Sequence, residues 1–146
     1  MASYSFLDTQ ASIVGPGGAF SFGSGSGASE EGIDIVMNGE KTTLTIGADG
    51  TGMYSLLADK SGKVTVRLLK TSPVNAQLMA LYDAQSLSSS LWGQNTITVT
   101  NTASGDVTAC RQVAFSKKPD LHYAKEAGIV EWEFMAVSVD SVLGVY

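Results

Sequence analysis

One stretch of this chain spaces its apolar residues as a helix, and no other does. In Lys70–Ser90, KTSPVNAQLMALYDAQSLSSS, the residues Val74, Leu78, Leu81 and Tyr82 recur at i, i+4, i+7 and i+8 and so share one face. Ser72 suits the N-cap, and Pro73 suits the first helical position, where its missing N–H is not needed. Ser88-Ser89-Ser90 and Gly93 stop the pattern. The spacing predicts a single helix over about residues 73–88 on a body that is otherwise strand and turn. Ala76, Ala80 and Asp83 fall on the far side. They read either as good helix formers facing water or as a flat surface on which a neighbouring subunit can approach closely.

The strands are read from period-two alternation. Lys63–Leu69 puts Val64, Val66 and Leu68 inward and Lys63, Thr65 and Arg67 outward. Asn95–Thr100 alternates Ile97 and Val99 with threonines. Val107–Phe115 places Val107, Ala109, Val113 and Phe115 on one face. Arg111 shares that parity, which requires an edge position or a carboxylate partner. Ile129–Val139 sets Val130, Trp132, Phe134 and Ala136 on a large apolar face, with Glu131 and Glu133 opposite. Ser3–Val14, Ala19–Phe22 and Leu121–Tyr123 complete the strand set. Ile33–Met37 and Thr42–Ile46 read as a hairpin around Asn38-Gly39, a favoured tight-turn pair. Gly15-Pro16-Gly17-Gly18 is a turn.

The chain's 146 residues fit one domain over 1–146 with a real core. Net charge is −5, which argues against tight binding of nucleic acid. Charge is uneven: residues 1–59 hold seven acids and one base, whereas Lys60, Lys63, Arg67 and Lys70 follow with no acid among them. That basic run reads as a solvated strand or as a patch complementary to acidic surface on another copy. The N-terminus shows no signal-peptide pattern, and no run approaches the roughly 18–20 apolar residues of a membrane span. The one cysteine, Cys110, excludes an internal disulfide and fits folding in a reducing cytoplasm.

Chemistry is hard to find. Cys110 reads as a structural thiol, and His122 is the single histidine, with no nucleophile motif near it. Metal sites need several His or Cys ligands. Gly23-x-Gly25-x-x-Ala28 has the look of a dinucleotide fingerprint but runs into Glu30 and Glu31 and a β-like segment, where a phosphate would be repelled. Asp49 and its neighbours fall short of a calcium loop. Glu131 and Glu133 read as a solvated face. No cofactor, metal or catalytic residue is expected.

Two features are left without an internal explanation. Gly47–Gly62, GADGTGMYSLLADKSG, is bounded as a loop yet carries Met53, Tyr54, Leu56 and Leu57. These either fold back on their own core or meet a partner. The C-terminal Val142, Leu143, Val145 and Tyr146 form an apolar tail that should dock on something.

The stretches SIVGPGGAFSFGSGSG, TIGADGTGMYSLLADKSGKVTVRLLKTSPVNAQLMALY, LWGQNTITV and KPDLHYAKEAGIVEWEF resemble the tail tube proteins of contractile-tailed bacteriophages and prophages. The resemblance implies a mainly β fold, a tail-tube-type barrel or sandwich with one flanking helix. It implies hexameric rings stacked into a tube in the virion tail, assembled in the host cytoplasm. Sheath, baseplate and terminator proteins are the implied partners, and double-stranded DNA passes through transiently and without specificity. A long hairpin loop touching the adjacent ring is also implied, which fits 47–62. On that reading Met53, Tyr54, Leu56, Leu57, Val145 and Tyr146 are contact residues, and Glu131 and Glu133 line the channel. Lys63 or Arg67 on the channel wall would instead hold passing phosphates. The alternatives are the tube of a tailocin or type VI secretion-like device, a capsid decoration or binding module, and an enzyme.

Overall fold

The computed structural model describes residues 2–23 and 28–145, leaving out the side chains of 28–31. A 3-10 turn, Phe6–Asp8, precedes β1 (Thr9–Gly15) and β2 (Gly18–Ser21). Then come β3 (Ala28–Met37), β4 (Thr42–Ile46), β5 (Gly52–Leu56) and β6 (Gly62–Leu69). Helix α1 (Val74–Gln85) leads to β7 (Asn95–Asn101), β8 (Asp106–Phe115) and β9 (Ile129–Val142). Seven strands form one antiparallel sheet in the order β2-β1-β7-β8-β9-β6-β3, and β4 and β5 stand apart as a two-stranded ribbon.

The connection from β2 to β3 shows that the large sheet curls. These strands are its two edges. A flat seven-stranded sheet would hold them about 29 Å apart. The chain from Ser21 to Ala28 reaches about 25 Å at full extension. Curling puts the apolar faces of all the strands on one interior. Ile13, Val64, Val66, Leu68, Ile97, Val113, Trp132 and Phe134 are all wholly buried there. Burial of each such side chain contributes about 1.5–3 kcal/mol relative to leaving it in water.

Helix α1 lies on this core through Val74, Leu78, Leu81 and Gln85. It starts at Val74, one residue later than expected, with Pro73 rather than Ser72 at the N-cap, at φ −66°; the Ser72 hydroxyl accepts from the Val74 N–H at 3.3 Å. Trp132 Nε1 donates to Asn75 Oδ1 at 3.1 Å, tying the first turn to β9. The helix ends at Gln85, short of 88, and Ser86 onward turns away.

Five sequence expectations are corrected. Ser3–Asp8 is not strand; the chain makes the 3-10 turn capped by Ser5, whose hydroxyl accepts from Leu7 N–H at 3.2 Å. Leu121–Tyr123 is irregular. β3 does not pair with β4 across Asn38-Gly39: β3 pairs with β6 and β4 pairs with β5. The backbone is already strand from Ala28, inside what composition marks as the Gly23–Gly32 loop; residues 24–27 of the rejected fingerprint lie outside the described residues. In β8 the parity breaks. Cys110 opposes Ile97 but Val113 opposes Asn95, so β8 carries one extra residue, with Gln112 at φ 53°. The bulge turns Cys110 inward and Val107 and Arg111 outward. The awkward parity of Arg111 therefore disappears.

Candidate assembly surfaces

The ribbon β4–β5 is the most exposed element of the protein. Its register pairs Thr42 with Leu56, Leu44 with Tyr54 and Ile46 with Gly52. Directly opposed residues project to the same side, so Leu44, Ile46, Tyr54 and Leu56 share one face. Gly52 lies beneath them, with Leu44 Cδ1 and Ile46 Cδ1 each 3.6 Å from where its Cβ would be. Their exposures are 52%, 58%, 75% and 80%, so the described residues of the chain leave this face largely in water. The other face carries Thr43, Thr45, Met53 and Ser55. A lone two-stranded ribbon is marginal in water, and this one is amphipathic.

The ribbon is nevertheless closed by hydrogen bonds at its tip and tied to the sheet at its stem. At the tip, Gly47 N–H donates to Thr51 O at 2.7 Å, and Gly50 takes φ 87°. Asp49 Oδ1 accepts from Thr51 N–H at 3.0 Å, a bond that holds the Asp49 carboxyl below its usual pKa. At the stem, Leu57 N–H donates to Lys41 O, Asn38 N–H to Ser61 O and Val139 N–H to Lys60 O. Asp59 Oδ1 accepts from Ser61 N–H at 2.8 Å and from its hydroxyl at 2.6 Å. Lys60 Nζ reaches Asp140 Oδ1 at 3.3 Å, and Arg111 Nη1 meets the other oxygen of Asp140 at 2.5 Å. Lys60 first and Arg111 second keep the Asp140 carboxyl below the ordinary range.

The second apolar surface lies where the termini meet the β7–β8 turn. Val142, Leu143 and Val145 are 68%, 80% and 87% exposed. Their backbone is nonetheless tied down: Gly144 N–H donates to Asp106 Oδ1 at 2.6 Å and Val145 N–H to Ser104 O at 3.1 Å. Beside the tail runs a groove of about 340 Å³ whose lining includes Tyr4, Phe6, Ile33, Val99 and Leu143.

The solvent face of the sheet sets ion pairs beside exposed apolar side chains such as Val36, Met135 and Val137. Arg67 opposes Glu131 in the register. Its guanidinium also pairs with Asp34 at 2.8 Å, and its Nε lies 3.4 Å from Glu131. Lys63 pairs with Glu133 at 3.1 Å. Exposed pairs of this kind contribute little stability, but they answer the question of the basic run: its charges are met by carboxylates of the same chain. The remaining cation, Lys70, sits 4.3 Å over the Tyr123 ring.

Among the described residues no group of His, Cys, Asp and Glu could hold a metal ion. Cys110 is buried, and burial pushes its thiol pKa up, away from the nucleophilic thiolate.

The sequence matches the family described as Bacteriophage PhiTE tail tube protein over residues 1–144. The chain belongs to that family. No curated protein matches the sequence. In fold, this tail tube family member is similar to the sheath/tube terminator of an extracellular contractile injection system, PVC, in its extended state. The identity is 16% and the TM-score 0.61, over 97% of this chain and 98% of that one. The PVC sheath–tube complex gives 15% identity and a TM-score of 0.57, over 97% and 92%. The tube-terminating cap of the anti-feeding prophage gives 15% and 0.55, over 99% and 95%. At these identities the likeness is one of fold.

The expected contact residues of this tail tube family member divide in the structure. Tyr54 and Leu56 share the apolar face of the ribbon, while Met53 points the other way and Leu57 lies at the stem, 38% exposed. The expected loop 47–62 is partly strand, since β5 occupies Gly52–Leu56. Val145 is on the exposed tail, and Tyr146 lies outside the described residues. Glu131 and Glu133 face away from the core. Leu44 and Ile46 escape sequence reading because their strand is assigned there to the wrong hairpin. No helix among the described residues is long and apolar enough to cross a membrane.

Proposed function

We infer that this chain is the repeating protomer of a tail tube. It forms hexameric rings that stack coaxially, and a genome passes down the channel while sheath, baseplate and terminator proteins bind outside and at the ends. The observation that carries the reading is the bare apolar face of Leu44, Ile46, Tyr54 and Leu56 on a ribbon hydrogen-bonded at its stem. A stable chain that displays such a face is built to have it covered. The edges β2 and β3 support the same reading, since joining edges between copies removes the hazard they present. Rings that stack by unlike surfaces propagate instead of closing.

On this reading Leu56, Tyr54, Leu57 and the tail with Val145 and Tyr146 make contacts between copies, with Met53 on the reverse of the ribbon. Glu131 and Glu133 line the channel. With Lys63 and Arg67 paired to carboxylates, such a wall offers DNA phosphate no strong hold, and the polymer can slide. The test is electron microscopy and sedimentation of the purified protein. Rings or tubes are expected; a strict monomer at high concentration overturns the assignment. The likeness to injection-system chains supports a second reading, a tube for a device other than a virion. Capsid and portal genes beside this one would decide for a phage.

A further inference from the structure

We propose that Asn38 is a site of spontaneous deamidation, and that the carboxylate formed there breaks the chain of hydrogen bonds at the stem of the ribbon. The proposal concerns the single chain and stands whatever that chain assembles into. Asparagine is among the thermolabile residues. The sequence has four, Asn38, Asn75, Asn95 and Asn101, and Asn38 alone is followed by glycine. A glycine there leaves the next backbone nitrogen unshielded by a side chain, so that nitrogen can approach the amide carbon. Asn38 and Gly39 are both exposed and lie past the end of β3 at Met37. No hydrogen bond among the described residues occupies the Gly39 N–H.

The competing positions are held. Asn95 is wholly buried, with its amide bonded to Gln85 and to Val113 O. Asn75 bonds to Trp132 Nε1 and to Leu69 O. Asn101 Oδ1 accepts from the Ala103 and Ser104 N–H groups, and the residue after it is the β-branched Thr102. Asp49-Gly50 has the same pattern with an acid in place of the amide, but there the Gly50 N–H donates to Gly47 O at 3.0 Å and Asp49 Oδ1 accepts from Thr51 N–H. At Asn38 the side chain makes one bond among the described residues, from Nδ2 to Ser61 Oγ at 3.0 Å.

The reaction needs only water. The Gly39 nitrogen gives its proton to solvent and bonds to Asn38 Cγ; the Cγ–Nδ2 bond breaks, and ammonia leaves with a proton from solvent. Water then opens the cyclic imide at either carbonyl. Cleavage at Cγ leaves an aspartate. Cleavage at the main-chain carbonyl leaves an isoaspartate, whose main chain runs through Cβ and Cγ. Nothing is oxidised or reduced. Either product replaces a donor with a carboxylate. Ser61 Oγ already gives its one hydrogen to Asp59 Oδ1, at 2.6 Å, and has none for a second carboxylate. The new charge then faces Asp59 across a hydroxyl that serves one of them, and like charges that close repel. The Asn38 N–H also donates to Ser61 O, at 3.1 Å, beside the Met37–Gly62 pair that ends the β3–β6 ladder. Isoaspartate adds a main-chain atom directly after that bond.

The test is incubation of the full chain in warm, mildly alkaline buffer, followed by peptide mapping with mass spectrometry and an isoaspartyl assay. Conversion of residue 38 to a mixture of aspartate and isoaspartate is expected, while Asn75, Asn95 and Asn101 keep their amides. Gly39→Ala should slow the conversion several-fold. Its Cβ would meet Asp59 Oδ2 at 3.6 Å, an ordinary contact, so the variant folds. An intact Asn38 after an incubation that fully converts a peptide of residues 35–42 overturns the site, and so does equal conversion of all four asparagines. An unchanged rate in Gly39→Ala overturns the route through the Gly39 nitrogen. Asn38→Asp tests the consequence directly, beside Asn38→Ala, which removes the bond to Ser61 without adding charge. Hydrogen exchange at the amides of residues 38 and 61 should be fastest in Asn38→Asp. Exchange there no faster than in Asn38→Ala overturns the effect on the stem.

Discussion

Gln85 and Asn95 exchange two amide hydrogen bonds in the core, and neither side chain is exposed at all. Gln85 Nε2 donates to Asn95 Oδ1 at 2.6 Å, and Asn95 Nδ2 donates back to Gln85 Oε1 at 2.8 Å. The spare donors reach Pro16 O at 3.2 Å and Val113 O at 3.1 Å. Four segments meet at this pair: the last turn of α1, the β1–β2 turn, β7 and β8. The fit is close enough that a Cβ on Gly15 would fall 1.8 Å from Asn95 Oδ1. The helix is thus fixed in rotation against the sheet by directional bonds as well as by packing.

Asn95→Leu is expected to destabilise the protein by about 1–3 kcal/mol, because it leaves the Gln85 amide buried without its partner. Gln85→Leu should cost about as much. The double variant should lose clearly less than the sum, since it leaves no amide orphaned. Denaturant titration of the four species measures the cycle, and strict additivity would show that the amides do not act as a pair.

The bulge in β8 gives a separate backbone prediction. Gln112 is exposed and holds φ 53°, where a β-branched residue is strongly disfavoured. Gln112→Val is expected to destabilise by roughly 1–2 kcal/mol and Gln112→Gly to be neutral or stabilising. Because the side chain is exposed, the difference reads the backbone alone. Equal stability of the two variants in thermal unfolding would mean that β8 can shed its extra residue.

The same bulge explains where the sequence misleads. β6, β7 and β9 are legible because Val64, Val66 and Leu68, or Val130, Trp132, Phe134 and Ala136, keep period-two spacing over most of their length; beyond Ala136 the buried parity of β9 shifts to Val139, opposite Cys110. β8 alternates too, but the parity changes at Gln112, and a pattern cannot announce a residue it must skip. Asn38-Gly39 carries a true local turn signal, yet β3 finds its partner in β6, far along the chain. That long-range pairing frees β4 to fold with β5, and so Leu44 and Ile46 join Tyr54 and Leu56 on a face that local reading cannot assemble. Gln85 was within reach: it continues the buried helical series from Val74, Leu78 and Leu81. Its polarity hides it, because polar residues are ordinarily assigned to the outside.

Asp140 links the ribbon stem to the bulge through Lys60 and Arg111, with Ser138 Oγ at 3.5 Å. Its carboxyl pKa is lowered in the folded protein. The link therefore contributes fully above the usual carboxylate pKa near 4 and is lost as pH falls through the lowered value. Hydrogen-exchange protection of the Val139 amide, which donates to Lys60 O, should fall over that acid range. Asp140→Asn should show reduced protection at neutral pH and no such fall. Asp59 is lowered too, by its bonds to Ser61, so Asp59→Asn is the control. If that variant, and not Asp140→Asn, removes the acid response, the stem is held from Asp59 instead.

The two faces of the ribbon make the sharpest contrast. Tyr54→Ser combined with Leu56→Ser removes apolar surface that is already in water in the single chain, at 75% and 80% exposure. Stability of the isolated protein should change by no more than about 0.5 kcal/mol, as for surface substitutions generally. Assembly should be abolished, since on the proposed tube reading these side chains are the ones another copy covers. Met53→Ser alters the opposite face, alongside Thr43, Thr45 and Ser55, and should leave tubes intact. Thermal unfolding together with electron microscopy separates the outcomes. Tubes from the double variant but none from Met53→Ser would mean that the hydroxyl-bearing face makes the contact and that the apolar one is covered by something other than a sibling chain.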